Sequence, residues 1–215
     1  MKGLLIKEYY ISRYMVLMFL IIICAMAAGF SNTTSDQETL ESFPYYSFIL
    51  IFISSVYTSI LPVFTFQHDE KCNWANFILA LGVTRKTIFN SKLLYVLITS
   101  LIFSLPLIVI FTIDYHSDPL LLVYGILLYF VINYLTYSLS FLVIVYLDAM
   151  KASVISTLCN TLLAGIFIGA FFLVLLVPSL TVNFAYFGAA ILLLGIIIGS
   201  VLLYLGYRKH MRRDY

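Results

Sequence analysis

Charge is what this sequence has least of. Asp, Glu, Lys and Arg make up 10% of its 215 residues, against 63% hydrophobic residues, whereas a soluble domain carries about 25% charge. With a mean hydropathy of +1.06, the chain cannot solvate a surface of its own, which excludes a water-soluble fold. Cysteine is also scarce: Cys24 and Cys159 fall in apolar runs and Cys72 in a polar loop, so no disulfide is expected. His68, His116 and His210 sit on three separate polar segments and read as solvated side chains, not as a zinc site. None of the 10 glycines precedes a lysine, and neither HExxH nor GxSxG occurs. That removes a phosphate-cradling P-loop and the common hydrolase signatures. The chain itself is therefore expected to be no enzyme, with no catalytic residue, cofactor or metal.

What is present is apolar sequence in long runs, at 14–30, 45–66, 93–113, 120–146, 154–177 and 182–207. Each is long enough to cross the hydrocarbon core as a helix, which takes about 17–25 residues. They lack the alternating polarity of barrel strands, so the expectation is an all-α integral membrane protein with six spans in one domain, 1–215. No ionisable residue lies near the middle of any run. Proton-coupled transport normally needs one, so the energy for any transport should come from a partner. Pro62 and Pro106, in the second and third runs, can kink their helices.

All 12 Lys and Arg fall on one side of this scheme: three before the first run, Lys71, Arg85, Lys86 and Lys92 between the second and third, Lys151 between the fourth and fifth, four after the sixth. The opposite loops, 31–44, 114–119 and 178–181, carry Asp36, Glu38, Glu41, Asp114 and Asp118 between them and no Lys or Arg. The positive-inside rule then puts both termini in the cytoplasm. The net charge of +2 is a topology signal and implies no nucleic-acid partner. The segment 1–13 places Lys7, Glu8 and Ser12 away from Leu5, Ile6, Tyr9 and Tyr10, as an interfacial helix does. The apolar run that follows exceeds a usual signal-peptide core, so cleavage is not expected.

The longest polar interruption, 67–92, should be cytoplasmic. Within it Asp69 to Leu81 reads as a short helix with Trp74, Phe77, Ile78 and Leu81 at i, i+3, i+4 and i+7. Gly82 is a stop signal, and Thr84 a cap ahead of the basic pair Arg85 and Lys86. A Trp anchor among apolar residues, rimmed by charge, suits a groove on another protein. Acidic Asp69-Glu70, Trp74, the run from Leu79 to Lys86 and Ser91-Lys92 together resemble the first cytoplasmic loop of small six-span ABC-2 type transporter permeases, similar to bacterial exporters of phenol-soluble modulins or antimicrobial peptides. Two steps depart from that pattern, Gly82-Val83 in place of Pro-Val and Asn73 before the Trp.

The resemblance implies that 67–92 is a coupling loop whose helix enters a cleft on a separate ABC ATP-binding subunit. Its docking residues would be Asp69, Glu70, Trp74, Phe77, Ile78, Leu81, Arg85 and Lys86. It also implies that 1–13 is an elbow helix, that ATP and Mg sit on the partner, and that a second permease chain completes a homodimer or paralogous heterodimer in the lipid of a bacterial cell membrane. The cargo class it implies is amphipathic peptides or lipid-like amphiphiles. The alternative is a non-transporting anchor or sensor subunit that recruits a cytoplasmic partner through the same loop. Within the spans, Thr58, Asn133, Tyr137 and Asn160 are candidates for a translocation path, because polar groups in lipid need partners or a function. Gly165 with Gly169, and Gly195 with Gly199, form GxxxG pairs expected to pack helices.

Overall fold

The computed structural model describes residues 2–33, 43–114, 119–147, 149–176 and 184–212. Most of the three loops expected to face outward, with His116, lies outside these. Seven helices follow in order: α1 (Lys2–Thr33), α2 (Phe43–Lys71), α3 (Trp74–Ala80), α4 (Arg85–Asp114), α5 (Pro119–Tyr146), α6 (Ala149–Leu176) and α7 (Phe184–Arg212). No strand occurs among the described residues. Five of the helices, α1 and α4 to α7, are long and apolar enough to cross a membrane. The remaining run, 45–66, falls on the 29-residue α2, part of whose side chains lie outside the described residues.

Polar content decides which helix goes to the centre. The middle of α5 carries Asn133, Thr136, Tyr137, Ser138 and Ser140, all buried. Such groups are disfavoured against lipid, so a helix with this cluster at mid-span is wrapped by the others. In the most apolar 18 residues of α5, 72% are buried, against 22% in α7 and 28% in α1. Leu128, Ile132 and Leu135 of α5 share one core with Ile51 of α2, Leu107 of α4, Ala164 of α6 and Leu192 of α7.

The contact of α5 with α7 is a seam of glycines. A Cβ added at Gly188 would lie 3.1 Å from Tyr124, one at Gly199 2.7 Å from Tyr134, one at Gly206 2.7 Å from Phe141, and one at Gly195 would clash with Val131. The paired numbers rise together, so the two helices run parallel in register. Each glycine admits the side chain opposite it, which lets the backbones approach closely. Gly165 and Gly169 differ: both are exposed, with nothing within 4 Å of an added Cβ. The packing expected of that pair is not made among the described residues.

The elbow expected over 1–13 is not a separate element. α1 runs from Lys2 to Thr33 without a break, because no Pro or turn residue interrupts it after Arg13 and its polar side has partners inside the bundle. Ser12 donates to the Glu8 carbonyl at 2.8 Å and is hydrogen-bonded to the Tyr95 hydroxyl of α4. The stripe that resembled a headgroup-facing surface faces protein.

Candidate coupling site and intramembrane cavity

The polar interruption folds as two breaks around one short helix. α2 continues to Lys71, so Asp69 ends a long helix and does not begin the short one. Asn73 then takes a left-handed conformation, φ 52°, which Asn tolerates better than most residues. After Ala80 the chain closes with the Gly82 N–H on the Leu79 carbonyl (3.0 Å) and the Val83 N–H on the Ile78 carbonyl (3.3 Å). This Schellman pattern needs the positive φ, 80°, that Gly82 supplies. Thr84 caps α4, its hydroxyl accepting the Thr87 N–H at 3.3 Å.

These turns split the expected apolar stripe. Ile78 is buried, while Phe77 and Leu81 are 56% and 66% exposed. Trp74 is half-buried, tilted against Phe77 at 5.5 Å, with the Lys7 ammonium of α1 over its ring at 5.2 Å. Its indole nitrogen is buried without a hydrogen-bond partner among the described residues. Glu70 and Lys86 are exposed. Arg85 reaches sideways and donates to the Met211 carbonyl at the end of α7, at 3.0 Å, a favourable place for a cation.

Asp69 corrects the sequence reading most sharply. Expected on an exposed rim, it is 6% exposed and belongs to a closed ring of four charges. Lys92 Nζ lies 2.8 Å from Asp69 Oδ2 and 3.0 Å from Glu8 Oε1, and Lys7 Nζ lies 3.3 Å from Glu8 Oε1 and also pairs with Asp69. Two carboxylates and two ammoniums alternate, so the ring has no net charge. It joins α1, the end of α2 and the second turn of α4. The Lys92 ammonium also lies 4.3 Å from the Phe66 ring centre. Removing one member of such a buried set leaves a charge uncompensated, at about 3–5 kcal/mol.

Sequence reasoning took Lys7 and Lys92 as topology markers and did not pair them. One signal was available: Glu8 with Ser12 on α1, and Ser91-Lys92 with Tyr95 on α4, each put a charge and a hydroxyl on one face at the same end of a span. His210 corrects another expectation. It is 1% exposed, with its ring 5.8 Å from Phe141 and 6.2 Å from Phe89.

Of the four path candidates, the three whose side chains are described do not converge on one place. Asn133 and Tyr137 line one cavity of about 130 Å³ between α4, α5 and α7, with Leu97, Ser100, Phe130 and Leu203. Asn160 lies elsewhere, its amide donating to Ser140 Oγ across α5 and α6 at 2.6 Å. The side chain of Thr58 lies outside the described residues. Tyr129, close to Asn133, donates to the Ser100 carbonyl at 3.1 Å, whereas the Tyr137 hydroxyl is buried with no partner among the described residues.

Comparison with known proteins adds one finding. A family model described as "ABC-2 family transporter protein" matches residues 3–206, nearly the whole chain and all seven helices in large part. Neither the curated proteins nor the solved structures gave a match.

Proposed function

Since the chain belongs to the ABC-2 transporter family, and is thus the membrane permease subunit of an ABC transporter with an ABC ATP-binding partner, we propose that it exports amphipathic peptides or lipid-like amphiphiles, driven through α3. The observation that carries this reading is the bare apolar pair Phe77 and Leu81 on a short helix at the charged end of the bundle. An exposed Phe and Leu flanked by Glu70 and Lys86 form a small apolar patch with a polar rim, the anatomy of a docking surface. By the positive-inside rule this end is cytoplasmic, where the ATP-binding subunit and its Mg and ATP reside. α2 serves as the sixth span, and a second permease chain, identical or paralogous, completes the membrane unit. The lipid-facing glycines of α6 are open to such a chain.

The cargo class rests on the lining of the cavity, which is apolar apart from Ser100, Asn133 and two tyrosines and holds no charged residue. Such a lining offers nothing to a bare ion and accepts the apolar body of an amphiphile. The test is ATP turnover by the assembled complex in nanodiscs against a panel of amphipathic peptides, lipids, sugars and metal ions. Stimulation by amphiphiles is the expected result. A response confined to sugars or ions would sink the cargo class. Docking is tested separately: Trp74→Ala, which removes the side chain that props Phe77, should weaken binding of the ATP-binding subunit by about 2 kcal/mol while the permease stays inserted. Unchanged copurification would remove α3 from the interface.

A further inference from the structure

We propose that Glu8 and Lys92 are positioning residues, through which movement of α3 is passed to α1 and α4. This rests on the reading of α3 as the docking helix, but it concerns residues that touch no partner. Asp69 precedes Trp74 by five residues and is held by both ammoniums, while Lys7 meets Asp69 and the face of Trp74 at once. The root of α3 is therefore fixed to α1. Glu8 then grips Lys92 at 3.0 Å, which fixes α1 to α4. At its far end α3 joins α4 through the Gly82 closure and the Thr84 cap, a connection with no slack.

A push on α3 has two outcomes. Either the ring opens, or α1 and the start of α4 travel with α3. Opening separates four charges that are 2%, 2%, 7% and 15% exposed, leaving each unpaired in a place with little water. Burying a charge without its partner costs far more than sliding apolar helices past lipid. The helices therefore move as one unit. The Ser12–Tyr95 bond, one turn along α1 from Glu8, adds a second tie between the same two helices.

The test compares the ion pair with an apolar pair of similar length. Glu8→Met with Lys92→Met leaves Lys7 and Asp69 to neutralise each other, and apolar replacement of a buried pair is well tolerated by folding. Spin labels are placed in pairs on exposed positions, Asn76 of α3, Leu17 of α1, Leu101 of α4 and Leu158 of α6, with Cys24, Cys72 and Cys159 replaced by alanine. Distances are measured in nanodiscs on the complex with its ATP-binding subunit, before and after trapping with ATP and vanadate. In the parent protein the 76–17 and 17–101 distances should stay constant within about 2 Å while 17–158 changes by helix-shift amounts, a few ångströms. In the double variant 17–101 should change on trapping, whereas 76–17, still held by Lys7 on Asp69 and Trp74, should not, with ATP turnover retained. Lys92→Arg, which keeps the charge, should behave as the parent.

A double variant that folds, assembles and keeps the parental 17–101 distance on trapping would overturn the proposal, as would a parental 17–101 distance that itself moves on trapping. A misplaced docking surface is detected independently, by a partner that stays bound to Trp74→Ala.

Discussion

The two ends of the α4 helix sit in opposite chemistries. Its first turns belong to a ring of four buried charges shared with α1 and α2, while its later turns, at Leu107, join the apolar core around α5. The apolar region is held by shape. Glycines of α7 receive Tyr124, Val131, Tyr134 and Phe141, and the loss of any one contact is local. The charged region is held by pairing, where each member answers for two others. A core of the first kind tolerates graded change, and a ring of the second kind is close to all or none.

The sharpest way to break this contrast is to remove one charge. Lys92→Met alone leaves Glu8 without its closest cation, and should destabilise the purified permease by about 3–5 kcal/mol, read as a lowered thermal midpoint in nanodiscs. Glu8→Met with Lys92→Met should recover most of that loss. If the single and the double variant melt alike, the ring is not acting as a pair. At the glycine seam a smaller cost is expected. Gly199→Ala puts a methyl against the Tyr134 ring and should cost about 1–3 kcal/mol by overpacking. Gly165→Ala meets open space and should be neutral or stabilising by up to about 1 kcal/mol, since Ala is the better helix former. Equal effects at the two glycines would remove the distinction between them. The smallest change is expected at Tyr137, whose hydroxyl is buried without a partner among the described residues. Tyr137→Phe relieves that group and should leave stability unchanged or raise it by about 1 kcal/mol; a clear loss would mean that the hydroxyl is bonded.

How much of this could be read from the sequence follows the same division. Run length located five helices able to cross a membrane, and local turn chemistry located the break at Gly82 and the cap at Thr84, because each depends on neighbours in the chain. The ring depended on residues 62 and 84 positions apart. The local patterns of Lys7 and Asp69 do not tell a solvated topology marker from a buried partner, and the charge-and-hydroxyl face of Lys92 with Tyr95 is the one hint that the sequence holds. A polar stripe on α1 fits headgroups and a protein interior equally well, which is why the elbow was expected and a continuous helix found. The two GxxxG pairs are identical as motifs and differ only in what lies opposite. Helical spacing put Phe77, Ile78 and Leu81 on one stripe, whereas the burial of Ile78 and Asp69 and the turn of Arg85 toward α7 required the third dimension.

The order of the charges along the chain also sets an order of assembly. A ribosome delivers Lys7, Glu8 and Asp69 well before Lys92, and all four before any residue of α5. Until Lys92 enters the membrane, the two carboxylates at that end outnumber the one ammonium that can answer them, and only the Lys7–Asp69 pair ties α1 to α2 there. Once it enters, the ring can close on the nascent chain, while the glycine seam must wait for α7. Biosynthesis then proceeds in two stages, an early electrostatic clasp followed by a late apolar zip. Arrested nascent chains that end before and after α4 should differ in whether α1 resists extraction from the α2 hairpin.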